Sequence, residues 1–185
     1  MLIETYTSKW ITDFNSIKRE IENGLEGSGY VIEHVGSTAV PGLASKPIID
    51  IDLIYTHPDD FLKIKRGLEK TGYFYNGNQG IEGREVFKRN GKLTHVVLDT
   101  IKHHLYVCPV GSKALERHLL SRDYLRKNEW ARLKYQQMKY ELAEKAGQDK
   151  RIYQELKELN VNEFIDLMIR KEKLETSHFQ DPGGI

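Results

Sequence analysis

The run Ile48 to Tyr55, IIDIDLIY, constrains the fold more than any other segment. It is rich in β-branched residues, which pack well on a pleated surface. Side chains along a strand alternate between two faces. Ile49, Ile51 and Leu53 therefore share one face and belong to a core, while Asp50 and Asp52 share the other. Two carboxylates held side by side repel each other unless a cation lies between them. A hard cation such as Mg²⁺ takes one or two carboxylates plus phosphate oxygens and water. The plain alternative is a strand with a polar outer face.

The segments around this strand read as a mixture of helices and strands. Trp10, Phe14, Ile17, Ile21 and Leu25 recur at helical spacing, which predicts an amphipathic helix from about Thr7 to Glu26, ended by Gly27 and Gly29. Tyr30 to Val35 reads as a short strand, and Pro58 opens a helix that ends near Thr71 and Gly72. Strands are expected at Tyr73 to Tyr75, Glu85 to Arg89, Leu93 to Leu98 and His104 to Cys108, with Asn90-Gly91 as a hairpin turn. Ser112 caps a helix running to about Lys127, and another follows from Glu129 to about Lys145. A last helix begins near Asp149, with a break expected at Asn160 or Asn162. The chain reads as one domain over 1–175, with an α/β core at 1–110, C-terminal helices at 111–175 and a flexible tail at 176–185.

Charge and composition exclude several classes. Lys plus Arg is 28 against 27 Asp plus Glu, so bulk positive charge gives no strong nucleic-acid signal. A single cysteine can form neither an internal disulfide nor a cysteine zinc site. No stretch approaches the roughly 20 apolar residues of a membrane span, and the N-terminus lacks the order of a secretory signal. A cytoplasmic location is expected. Within Gly111 to Lys157, however, 12 Lys/Arg face 7 Asp/Glu. These cations either coat a solvated helix surface or face an anionic ligand.

A second motif lies just before the acidic strand. His34-Val35-Gly36-Ser37-Thr38 follows a strand and precedes a loop or short helix. Glycine lets backbone approach a ligand closely, and Ser37 and Thr38 can cap a helix start that favours phosphate. Lys46 lies before the acidic strand and can reach the same cleft.

Taken together, Glu33 to Asp52, EHVGSTAVPGLASKPIIDID, resembles the signature of the GrpB family, a branch of the nucleotidyltransferase superfamily. The likeness continues at Gly80 to Arg84 (GIEGR), His103 to Val107 (HHLYV) and Arg122 to Arg126 (RDYLR). More faintly, Tyr135 to Lys139 and Tyr153 to Lys157 resemble the Tyr/Lys spacing of the family's terminal helices. The resemblance implies an α+β fold of polymerase-β type: a nucleotidyltransferase-like mixed sheet flanked by helices, with a C-terminal helical extension. It implies that Gly36 and Ser37 hold a nucleoside triphosphate and that Asp50 and Asp52 bind Mg²⁺ or Mn²⁺. The reaction expected is transfer of a nucleoside monophosphate to an unknown, small acceptor.

The superfamily's third acid has no clear counterpart. The matching strand offers His104 and Tyr106 on one face, and Glu85 and Asp99 fit less well. His104 is therefore a candidate metal ligand or general base. Arg122 and Arg126, at i and i+4 with His118 on the same stripe, are candidate phosphate contacts, as is Arg84. Two other readings stay open. One is a non-catalytic nucleotide- or phospho-metabolite-binding protein. The other is an interaction domain that self-associates through its C-terminal helices.

Overall fold

A computed structural model describes residues 1–25, 27 and 29–180, with backbone alone over 176–180. The first helix, α1, spans Lys9–Gly24 and buries Trp10, Phe14, Ile17 and Ile21, the face expected from their spacing. Strand β1, Tyr30–Val35, leads through Gly36 into one 3-10 turn at Ser37–Ala39. Strand β2 is Ile49–Tyr55, helix α2 is Pro58–Lys70, and strands β3 and β4 are Tyr73–Tyr75 and Glu85–Arg89. A short helix α3, Val96–Thr100, precedes β5, His103–Pro109. Three helices follow: α4 at Lys113–Lys127, α5 at Glu129–Lys145 and α6 at Lys150–Gln180.

The strands form one mixed sheet in the order β1-β2-β5-β4-β3. β2 pairs antiparallel with β1 and parallel with β5, so it sits inside the sheet. Its apolar face is sealed by α1 and α2. There Ile49, Ile51 and Leu53 join Trp10, Ile17, Ile21, Leu68, Phe87 and Leu105 in one core. The opposite face carries Asp50 and Asp52 and turns apolar only at Ile54, which packs with Cys108 and Leu115 of α4. The last three helices pack around a second core that includes Leu43, Tyr124, Tyr135, Leu142, Tyr153 and Met168. A cleft remains between this helical layer and the acidic face of the sheet. The fold is thus α+β, as expected.

Three local expectations are corrected. The strand expected at Leu93 to Leu98 is absent; Val96–Thr100 is helical instead. His95 caps it, its Nδ1 accepting from the Leu98 amide at 3.4 Å while its own amide donates to Asp99 at 2.6 Å. Two adjacent valines suggested a strand, but the caps at both sides of this turn decide otherwise. Neither Asn160 nor Asn162 breaks α6. Their side-chain amides donate back to the carbonyls of Leu156 and Glu158, four residues earlier, so the helix continues. Helix α6 runs to Gln180, into the stretch expected as tail from residue 176; residues 181–185, like Glu26 at the expected end of the first helix, lie outside the described residues. No helix among the described residues is long and apolar enough to cross a membrane.

The close crossing of α1 and α2 explains one glycine. A Cβ on Gly67 would lie 2.6 Å from the Gly24 carbonyl oxygen and 2.8 Å from Leu25 Cδ2. Alanine gains about 1 kcal/mol over glycine in helix propensity, but overpacking costs about 1–3 kcal/mol. The backbone oxygen cannot rotate away. Gly67→Ala is therefore expected to lower stability by about 1–2 kcal/mol in a urea melt, and an unchanged or raised midpoint would refute this crossing.

Candidate functional site

The turn after β1 places the first group of residues. Gly36 has φ 71° and ψ −169°, a conformation open to glycine. It lies so close to β2 that a Cβ there would meet Asp50 Oδ2 at 2.4 Å. Thr38 is buried and works inward: its hydroxyl donates to the Ile48 carbonyl at 3.3 Å and sits 3.0 Å from His34 Nε2. Because the hydroxyl proton is used on Ile48, His34 donates and Thr38 accepts in that pair. Thr38 thus locks the turn, whereas Ser37 lines the cleft.

Asp50 and Asp52 lie on the same face but in different surroundings. Asp50 is partly open, and its Oδ1 pairs with His104 Nδ1 at 2.9 Å. His104 is the residue opposite Asp50 on the parallel strand β5. Asp52 has no exposed surface, and both its oxygens face His118 Nδ1, at 3.2 and 2.9 Å. Burial pushes the Asp52 carboxyl above its ordinary pKa, while the hydrogen bond from His118 opposes the shift. Tyr106 stands opposite Asp52 on β5, so this strand places no acid beside Asp52. Glu85 is engaged by the Tyr75 hydroxyl at 2.6 Å, and Asp99 by Arg89, so neither joins this site.

Each acid is therefore matched with an imidazole, not with its neighbour. Among the described residues, no group of three or more His, Cys, Asp or Glu is placed to hold a metal. With both Asp52 oxygens committed to His118, the side chains do not fit a two-carboxylate metal platform as they stand. Of these two acids, Asp50 and not Asp52 lines the cleft.

A cavity of about 320 Å³ opens between the sheet and α4 and α6. Gly36, Ser37, Asp50, Arg84, His118 and Lys157 are among its walls. Arg84 stacks over the Tyr106 ring at 4.8 Å, and its Nε is buried with no hydrogen-bond partner among the described residues. Such an orphan donor is costly unless something else satisfies it. Arg117, also in the wall, is tied to Asp166 and Asn162 on α6.

The two arginines of the RDYLR segment are occupied by protein groups. Arg122 is buried and donates to Glu33 at 2.6 Å, to the His34 carbonyl at 2.9 Å and to Asp123 at 2.8 Å. Arg126 donates twice to the Ala39 carbonyl, at 3.0 and 2.9 Å, and lies outside this cavity. Both clamp α4 onto β1 and the turn. Lys46 borders a second, adjoining cavity, with His104. The sequence puts His118 on the stripe of the arginines but does not reveal its partner Asp52. Lys139 and Lys157 also line the second cavity, and the repeated Tyr-x-x-x-Lys spacing is the sequence signal that marks them.

Comparison with known proteins fits this arrangement to a family. The family model described as GrpB protein matches residues 1–170. The chain belongs to the GrpB family. The glutamate-rich protein GrpB of Alkalihalophilus pseudofirmus is 30% identical over 91% of this chain and 95% of its own length. YqkA of Bacillus subtilis is 32% identical over 75% of this chain, and the match spans 38% of that longer protein. The crystal structure of conserved protein GrpB from Enterococcus faecalis has a similar fold, with a TM-score of 0.74 and 26% identity over 91% of this chain and 98% of that one. GrpB membership thus rests on most of the chain, including the Gly36-Ser37 turn and the acidic strand.

Proposed function

We propose that this GrpB-family chain binds a nucleotide, or a related phosphorylated metabolite, in the cavity beside Gly36 and Ser37. The observation that carries the reading is Arg84. Its buried Nε has no partner among the described residues, and it stands in the wall of the same cavity as the glycine turn. A guanidinium fork suits phosphate oxygens. Lys157 adds a second cation, and the adjoining Tyr106 ring and Ile81 offer apolar surface to an organic group.

A second reading is metal-dependent transfer of a nucleoside monophosphate to a small acceptor. It is favoured by the common face that Asp50 and Asp52 share beside the turn. It requires His118 to release Asp52, so that both acids can meet one Mg²⁺ or Mn²⁺.

Calorimetric titration of the four nucleoside triphosphates, with and without Mg²⁺ or Mn²⁺, tests both. Binding should weaken by about tenfold or more in Arg84→Ala, as expected for loss of a charged hydrogen bond. Arg19→Ala, at an exposed arginine of α1 that lines neither cavity, should leave affinity within about twofold. If Arg84→Ala binds as the parent does, the cavity assignment fails. Pyrophosphate release in an acceptor screen, lost in Asp50→Asn and Asp52→Asn alike, would promote the transfer reading. Tight binding without release would leave the binding role.

A further inference from the structure

Beyond Asp50 the cleft widens into a second cavity of about 730 Å³. Lys46, Lys139 and Lys157 come together there from the segment before β2, from α5 and from α6. Lys139 is buried; its ammonium donates to the Ala44 carbonyl at 2.8 Å and lies 4.5 Å from the Tyr135 ring centre. Lys46 donates to Gln154 at 3.2 Å and lies 4.7 Å from the centre of the Tyr153 ring. Lys157 lies beside the Tyr135 hydroxyl, which holds its pKa up. These partners are neutral. They orient the ammonium groups without cancelling their charge.

The three cations also act on one another. Burial lowers the pKa of Lys46 and, much further, that of buried Lys139; repulsion from Lys157 adds to both shifts, and Asp50 opposes them. Asp149, the other acid in the wall, is occupied in accepting from the amides of Arg151 and Ile152 at the start of α6. Lys150 and Arg151 add further positive charge at the rim. Cations gathered in a recess are unfavourable unless an anion neutralises them.

The position of Asp50 decides which anion. Together with Ser37, Tyr106 and Lys157 it lines both cavities and so stands at their junction. One continuous polyphosphate running from Arg84 to Lys46 would cross this carboxylate and be repelled by it. Two separate ligands avoid the crossing, each keeping its anionic end at its own cations. We propose that the lysine-lined cavity binds a second, phosphate-bearing small molecule, a phosphate monoester distinct from the ligand of the first cavity. Its being second rests on the first cavity's phosphate reading; its own occupancy rests on the lysines alone. The dianion of a monoester matches several converging ammonium groups better than a single carboxylate does.

Inorganic phosphate and glycerol 3-phosphate are the probes, titrated into the full chain by calorimetry, alone and with saturating nucleoside triphosphate. Glycerol 3-phosphate should bind one-to-one in both cases. Lys46→Gln and Lys157→Gln should each weaken it by about tenfold or more, while Arg84→Ala leaves it within about twofold. Lys139→Met should act in the same direction, and circular dichroism shows whether that buried variant has folded; Lys46, at the half-buried wall, carries the test if it has not. Competition between triphosphate and glycerol 3-phosphate would mean one shared anion site and would overturn the proposal. So would unchanged affinity in Lys46→Gln, or no binding of either probe. If no triphosphate binds but the probes do so in a Lys46-dependent way, the first cavity's reading fails and the lysine site stands.

Discussion

Acidification from pH 6.5 to pH 4 is expected to remove about 3 kcal/mol of stability through His34 alone. His34 is 8% exposed and stacks on Phe14 with ring centres 4.7 Å apart. Burial lowers its pKa from 6.5 to about 4; Asp50 opposes the shift, and Arg126 and Arg122 add to it. The folded protein therefore keeps a neutral imidazole down to about pH 4, whereas the unfolded chain takes up a proton near 6.5. The unfolded state binds more protons in that window, so the stability is full above 6.5 and is lost as pH falls to 4. His103, whose pKa is also lowered by burial, adds to the loss in the same direction.

His34→Gln isolates the effect. Its amide nitrogen can take the place of Nε2 and keep the donation to Thr38, yet it does not titrate. Urea midpoints from pH 4 to 7 should show the parent losing about 3 kcal/mol more than the variant on acidification, since each pKa unit is worth about 1.4 kcal/mol. Parallel curves for the two proteins would show that His34 does not titrate differently on folding.

The largest effect on ligand binding is expected from Gly36→Ala. Two penalties coincide at this position. The φ of 71° with ψ −169° is a glycine conformation, worth about 1–3 kcal/mol when another residue is forced into it. The new Cβ would also stand 2.4 Å from Asp50 Oδ2 and 3.0 Å from Asp50 Cβ. Either the turn or Asp50 must move, and both line the first cavity. A loss of about 2–3 kcal/mol in urea denaturation is expected, together with at least a tenfold loss of triphosphate affinity. Gly91→Ala serves as the comparison. Its φ is also 71°, but a Cβ there meets nothing within 4 Å, so it should cost only about 1 kcal/mol and leave binding alone. Equal stabilities for the two variants would show that crowding against Asp50 contributes nothing.

Much of the scaffold is readable from local pattern. The alternation in IIDIDLIY predicts which residues of β2 enter the core, and the spacing of Trp10, Phe14, Ile17 and Ile21 predicts the buried face of α1. Ser112 caps α4 through the Leu115 amide at 3.2 Å, as its place before the helix suggests. Local pattern misleads where a side chain takes up a backbone partner. His95 turns a valine pair into a helix, and the two asparagines of α6 donate backward along an unbroken one.

The site divides along the same line. By itself the sequence determines that Asp50 and Asp52 share a face and that a glycine turn precedes them. Those facts follow from the two-residue strand period and from backbone sterics, which act within a few residues. Only the tertiary structure decides that Asp52 is sealed against His118, 66 residues away, while Asp50 stays open. It also decides that Arg122 and Arg126 are clamps, and that Lys46 meets Gln154, 108 residues away, at the wall of a cation-lined cavity. Burial and charge pairing depend on which distant segments pack together, and no local period encodes that.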